Sequence, residues 1–103
     1  MRVITPGHRY ELDDFESKDS CQVLQFIEKY PSTLDPTVLI TAHDGTTNEE
    51  VLAVLINRLE FLNAKFPCRD NSIAITHLED ALMRLNKRTA DRKARLVEGT
   101  NKV

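Results

Sequence analysis

In the second half of the chain, apolar side chains recur every three or four residues, and the pattern is interrupted once, at Pro67. This spacing places apolar side chains on one face of an α-helix. The two stripes comprise Leu52, Leu55, Leu59, Leu62 and Phe66, and then Ile75, Leu78, Leu82 and Leu85. Because proline disfavours helical geometry in the residue before it, the pattern predicts two helices separated near residue 67.

Polar residues mark where each predicted helix begins. Thr47 and Glu50 have the spacing of a capping box, with Thr46 and Glu49 as the alternative frame. The first helix is predicted to run from this box to about residue 65. The second is predicted over residues 72–94, and its N-cap candidates are Asp70, Asn71 and Ser72. A connection of about five residues favours an antiparallel hairpin.

Before Asp44-Gly45, the chain has the character of strands and turns. The predicted strands cover residues 2–5, the alternating positions Tyr10, Leu12 and Phe15, residues 21–30 and residues 37–42. Pro6-Gly7 ends the first of them with a strong turn signal. Residues 21–30 also fit a helical face, but their β-prone composition and the proline that follows favour a strand.

The predicted fold class is therefore α+β: a small N-terminal antiparallel β-sheet followed by a C-terminal antiparallel two-helix hairpin. We expect one domain over residues 1–103, with a β-rich part at 1–43, the hairpin at 44–98 and a loose tail at 99–103. A chain of 103 residues forms only a marginal core alone. Oligomerisation through the helices is therefore expected.

Charge is distributed unevenly along the chain. The net charge is −2, which argues against generic nucleic-acid binding. Residues 1–60 carry five Lys/Arg against eleven Asp/Glu, whereas residues 61–103 carry nine against five. Residues 84–95 alone hold six cations and a single anion, Asp91. An anionic ligand is therefore expected at this end of the second helix.

Four arginines in that interval share one helical face. Arg84, Arg88, Arg92 and Arg95 are spaced by four, four and three residues. Guanidinium groups match phosphate oxygens in a two-pronged geometry and stack on flat bases. Cations near a helix C-terminus also interact favourably with the helix dipole. A phosphate site and a solvated cationic surface are thus both open interpretations.

An aromatic and a carboxamide near the hairpin turn form a second candidate. Phe61, Phe66 and Asn71 could together stack a purine and hydrogen-bond its edge. The simpler interpretation makes Phe66 a core residue and Asn71 a helix cap.

Catalytic and metal chemistry lack positive signals. Cys21 and Cys68 are 47 positions apart and the three histidines are scattered, so zinc-site spacing is absent and free cytosolic thiols are expected. Neighbouring carboxylates such as Asp13-Asp14 point in different directions and make poor acid–base pairs. The start of the chain lacks an apolar signal core, and the longest apolar run is too short for a bilayer. We expect no enzyme activity, metal, cofactor or membrane association.

Four ordered blocks connect the chain to a known family. GTTNEEVL, LNxKFPCR, ALxxLNxRTxDR and VEGT lie in the hairpin half, and RVITPGHRYELDDFE opens the chain. Together they resemble the Thoeris anti-defence family of phage proteins, which is related to the anti-CBASS sponges. The resemblance implies a protein that binds and sequesters, without degrading it, the cyclic ADP-ribose isomer made by bacterial TIR-domain defence proteins. Its location would be the cytoplasm of the infected host.

The resemblance also implies site residues and an assembly. The ligand-contacting aromatic corresponds to Phe61, the polar contact to Asn71, and the arginines to Arg88 and Arg92. Leu96 stands where relatives are expected to carry glycine. Some family members hold cyclic di- or trinucleotides at separate sites, in dimers that assemble further into hexamers. A homodimer or homohexamer that binds a small signalling nucleotide is therefore expected.

Helix geometry gives a reason for a shared site. Asn71 and Arg88 are 17 residues apart, about 25 Å along one helix, so one small nucleotide cannot reach both in the same chain. An antiparallel dimer of hairpins would bring the turn of one chain to the helix end of the other, twice by symmetry. The alternative functions are a small helical nucleic-acid-binding protein, an assembly protein and an enzyme that hydrolyses the same nucleotide.

Overall fold

The computed structural model describes residues 1–95, which form five strands followed by two helices. They divide into two compact units, a β-unit at residues 1–47 and a helical unit at residues 48–95. The elements are β1 (Arg2–Thr5), β2 (Arg9–Asp13), β3 (Cys21–Gln25), β4 (Glu28–Pro31), β5 (Leu39–His43), α1 (Asn48–Lys65) and α2 (Arg69–Ala94). This α+β order confirms the predicted fold class. The predicted tail at residues 99–103, and Leu96, lie outside the described residues.

The first sheet has the order β1-β2-β3, and both of its pairings are antiparallel. The turn from β1 to β2 is closed by a hydrogen bond from the His8 N–H to the Thr5 carbonyl at 2.9 Å. Gly7 has a φ of +80°, which a residue with a side chain adopts at a cost. Pro6 and Gly7 therefore form the turn that the sequence predicts.

Residues 21–30 do not form the single strand predicted from the sequence; they belong to two sheets. β3 ends at Gln25 and β4 begins at Glu28, where the two-stranded β4-β5 sheet starts. Between them, the Phe26 N–H donates to the His8 carbonyl at 2.7 Å and the Ile27 N–H donates to the Thr46 carbonyl at 2.9 Å. The chain leaves one sheet for the other because these two N–H groups find different partners.

Strand β5 starts two residues later than predicted because Thr37 and Val38 form a turn that hydrogen bonds to Asp35 stabilise. The Asp35 carboxylate accepts hydrogen bonds from the N–H and the hydroxyl of Thr37 at 3.0 and 2.7 Å. The Asp35 carbonyl accepts from the Val38 N–H at 3.0 Å. β-branched composition therefore identified the strand, whereas turn hydrogen bonding set its first residue.

An ionic cluster lies on the first sheet. Arg2 contacts the Glu11 carboxylate at 3.0 Å and the Asp13 carboxylate at 2.7 Å. Hydrogen bonds to Asp13 and Glu11 raise the pKa of Arg2, and the same guanidinium lowers the pKa of Asp13. Since Arg2 and Asp13 are exposed, their ion pair stabilises the fold only slightly; this stabilisation is present at neutral pH and lost as acidification protonates Asp13.

The turn between the helices is shorter than predicted. α1 ends at Lys65 as expected, but α2 begins at Arg69, so Asp70, Asn71 and Ser72 lie within its first turn and none of them is the N-cap. Cys68 occupies that position in an extended conformation without a side-chain cap. Asn63 of α1 bridges the turn instead: its Oδ1 accepts from the Cys68 N–H at 2.8 Å, and its Nδ2 donates to the Ser72 hydroxyl at 3.1 Å.

The predicted apolar stripes pack the two helices together, with two exceptions. Every predicted stripe residue of α2 is half-buried. On α1, Leu52, Leu59 and Leu62 are half-buried together with Ile56, whereas Leu55 is 42% exposed and Phe66 is 81% exposed. The assignment of Phe66 to the packed stripe is wrong because α1 ends at Lys65, which places Phe66 in the turn.

Burial is incomplete throughout the described residues. None of residues 1–95 is fully buried, whether apolar or polar. Large apolar side chains are exposed in both units, including Phe15 and Leu34 in the β-unit. Within the same residues, neither helix has the length and hydropathy needed to cross a bilayer.

Gly45 provides a test of the β-unit. A Cβ atom at this position would lie 2.7 Å from the carbonyl carbon of Phe26 and 2.8 Å from its oxygen, and backbone atoms cannot move away cheaply. We expect Gly45→Ala to lower the free energy of unfolding by about 1–3 kcal/mol, as overpacking typically does. Chemical denaturation of the full chain measures the change.

Gly7→Ala is the matched control. Its Cβ meets no atom within 4 Å, but its φ of +80° is unfavourable for alanine. It should therefore cost only about 1 kcal/mol, from backbone strain alone. If the Gly45→Ala variant and the parent have the same free energy of unfolding, the close approach of residue 45 to the Phe26 backbone is contradicted.

Candidate functional site

The C-terminal half of α2 carries a shallow cationic cleft. Its volume is about 240 Å³, and its lining residues are Arg84, Lys87, Arg88, Asp91 and Arg95. All five side chains are exposed, since they occupy the face of α2 that does not carry the apolar stripe. Four cations and one carboxylate give the cleft a positive charge. Three of the four predicted arginines are thus brought together on one surface.

Lys87 and Asp91 form an ion pair within this cleft. The Lys87 Nζ lies 3.4 Å from Asp91 Oδ2, one helical turn away. Sequence reasoning counted both residues in the charge balance but did not identify them as site residues. Their four-residue spacing is the signal that could have found them.

Arg92 lies beside the cleft and does not line it. It is half-buried, on the stripe that also contains Leu85 and Thr89. The three-residue step from Thr89 and the four-residue step from Leu85 continue the apolar spacing of α2. The four arginines therefore occupy two neighbouring strips of one helix: three are exposed and one is half-buried.

Phe61 lies on the opposite side of α1 from the half-buried stripe. Phe61 is 59% exposed and lines a shallow depression of about 460 Å³. The other lining residues are Glu50, Ala53, Val54, Asn57 and Arg58. The Lys65 Nζ lies 4.6 Å from the ring centroid, a cation–π contact that sequence reasoning did not identify. An exposed ring of this kind can stack on a planar base.

Asn71 is the third residue of α2 and is half-buried near the turn. Its carboxamide makes no side-chain hydrogen bond within the described part of the chain, and it can both donate and accept. Arg88 lies 17 residues further along the same uninterrupted helix, about 25 Å away. The helical unit of one chain therefore does not bring Asn71 and Arg88 together.

These groups offer a ligand three kinds of contact. The cleft offers guanidinium and ammonium donors to an anion, Phe61 offers a stacking surface, and Asn71 offers a polar edge. Among residues 1–95, no group of three or more His, Cys, Asp or Glu side chains could hold a metal ion. The cleft can therefore attract an anion, and the exposed Phe61 ring can stack on a planar group.

Comparisons with known proteins cover most of the helical unit. Residues 24–90 match the model of the Acb2/Tad1 hairpin domain. Over 65 residues the chain is 54% identical to "Thoeris anti-defense 1" of Bacillus phage SBSphiJ7, which covers 60% of this chain and 46% of that protein. The chain thus spans about half the length of this curated relative. Phe61, Asn71, Arg84 and Arg88 all fall within the residues that match the family model. Because that match extends over more than half of the chain, the protein belongs to the Acb2/Tad1 hairpin-domain family.

Proposed function

We propose that this protein is a phage anti-defence sponge. It binds a cyclic ADP-ribose isomer made by TIR-domain enzymes, does not degrade it, and thereby blocks Thoeris-type immunity in the cytoplasm of the infected bacterium. The observation that carries the proposal is the cationic cleft on α2, which suits the diphosphate of such a ligand. Family membership and the name of the phage relative support the same function.

The ligand is held between two copies of the chain. Arg88 within the cleft and Arg92 beside it bind the diphosphate, with Arg84 and Arg95 adding positive charge along the same helix. Phe61 stacks on the adenine and Asn71 hydrogen-bonds its polar edge, both from the second copy. The separation of about 25 Å between Asn71 and Arg88 supports this division, since a small nucleotide cannot span it within one chain.

Incomplete burial supports the same assembly. None of residues 1–95 is fully buried, and Val54, Phe61 and Met83 of the helical unit expose most of their surface. Pairing hairpins antiparallel would cover apolar surface and create two equivalent sites by two-fold symmetry. The minimal binding unit is therefore a homodimer, and a homohexamer would be an assembly of three such dimers.

Depletion followed by heat release tests the function. The protein is incubated with the TIR-generated cyclic ADP-ribose isomer, free signal is measured, and the protein is then heat-denatured. We expect the free signal to fall and the intact molecule to return on heating. A chemically altered product would show catalysis, and undiminished free signal would reject the sponge. Salt-dependent binding to arbitrary DNA or RNA would instead favour the nucleic-acid-binding alternative.

Arginine variants test the proposed contacts. A charge-assisted hydrogen bond contributes about 1.5–3 kcal/mol, so Arg88→Ala or Arg92→Ala should each weaken binding by about ten- to a hundredfold. Removing both should abolish sequestration. Arg92→Lys should recover only part of the affinity, because an ammonium lacks the planar fork of a guanidinium. Calorimetric titration of the folded variants measures these changes.

Lys93→Ala is the matched control for the arginine variants. Lys93 is exposed in the last turn of α2 and lies nine residues after Arg84, on the opposite side of the helix from it. Its removal therefore changes the charge as much as a single arginine substitution does, without touching the proposed site. The Lys93→Ala variant should leave the affinity for the isomer within about threefold of the parent, because an exposed charge outside the site contributes little. If the double alanine variant binds as tightly as the parent, the ligand does not occupy the cleft.

Light scattering tests the assembly. We expect a dimer or a larger even-numbered oligomer at micromolar concentration, because a lone chain leaves its apolar side chains partly exposed. Dilution should lower the thermal stability, since association and folding are linked. A monomer at micromolar concentration with full affinity for the ligand would show that the site does not need a second copy.

A further inference from the structure

Asp91 is chemically unlike the other residues of the cationic cleft. Among the described residues that line the cleft, it is the only carboxylate beside four cations. Its Oδ2 lies 3.4 Å from the Lys87 Nζ, and the Asp91 side chain remains 60% exposed. The carboxylate is thus held toward the cleft while it remains accessible to a ligand.

Helix energetics explain a carboxylate at this position only in part, because its four-residue spacing from Lys87 and Arg95 is opposed by its place in the helix. Asp91 lies in the last turn of α2, which ends at Ala94, and negative charge near a helix C-terminus interacts unfavourably with the dipole. Aspartate is also a poor helix former. The lysine precedes the acid at the four-residue spacing, which is the weaker order for such a pair. An effect of the carboxylate on a ligand would account for the remainder.

We propose that Asp91 is a specificity-determining residue: it accepts a hydrogen bond from a sugar hydroxyl beside the bound diphosphate and disfavours ligands that offer only phosphate. This inference rests on the proposed function. An ionised carboxylate can only accept hydrogen bonds, and a ribose hydroxyl can donate one to it. A phosphate group in the same place carries negative charge and is repelled by the carboxylate.

The two effects separate nucleotide sugars from simple anions. Arginines alone would take any phosphate or pyrophosphate, since the guanidinium fork recognises the oxygens and not what they are attached to. With Asp91 among them, a ligand that has a sugar hydroxyl gains a hydrogen bond. A ligand that offers only phosphate is repelled by the carboxylate. The cleft can then bind a sugar-linked diphosphate in preference to inorganic pyrophosphate.

The Asp91→Asn variant tests this inference with two probes, the TIR-generated cyclic ADP-ribose isomer and inorganic pyrophosphate. Asparagine keeps the shape but removes the negative charge. We expect affinity for the isomer to fall about three- to tenfold, because a charge-assisted hydrogen bond becomes a neutral one. We expect affinity for pyrophosphate to rise about threefold or more, because a like charge is removed. Calorimetry of the folded full-length protein measures both.

Asp80→Asn is the matched control, since Asp80 is an exposed carboxylate of α2 outside the cleft. It should change neither affinity by more than about twofold, as expected for a distant, screened charge. Opposite shifts for the two probes in Asp91→Asn alone support the inference. Shifts of the same sign, or no shift, overturn it while leaving the sponge function intact. A parent protein that binds pyrophosphate but not the isomer overturns both.

Discussion

The two hydrogen bonds of Asn63 across the hairpin turn are the constraint on which the helical unit depends. One carboxamide satisfies the Cys68 N–H and holds the Ser72 hydroxyl, so α2 starts without a capping side chain of its own. The turn fixes where each residue of α2 lies along α1. The half-buried stripes meet because of this register, and the cationic cleft is consequently placed at the end of the hairpin away from the turn.

Much of this arrangement could be predicted from periodicity and charge. The stripe of α2 and the grouping of Arg84, Arg88 and Arg95 follow from helical spacing, and the end of α1 at Lys65 follows from Pro67. The start of α2 could not, because the groups that satisfy it come from Asn63, six residues before it. The break between β3 and β4 was equally hidden, since it depends on carbonyl groups of residues that are distant in sequence, His8 and Thr46.

The candidate site shows the same division. Composition identifies where an anion would be attracted, but it does not separate Arg92 on the half-buried stripe from the three exposed arginines. Nor does it show that Lys87 holds Asp91, or that Lys65 lies over Phe61. These are short-range contacts between side chains one turn apart, and several rotamers would satisfy the same spacing. Spacing alone does not choose among these rotamers, whereas it is enough to give the separation of about 25 Å between Asn71 and Arg88.

The short turn also bears on how quickly the chain can reach its folded form. Asn63 and Ser72 are nine residues apart, so the first tertiary contacts of the hairpin close a small loop at little entropic cost. Helix pairing can then extend outward from the turn, each step adding contacts between residues that are already near each other. Topologies dominated by such local contacts fold in microseconds to milliseconds. The hairpin should therefore form before the β-unit, whose sheets are joined through residues as far apart as His8, Phe26 and Thr46.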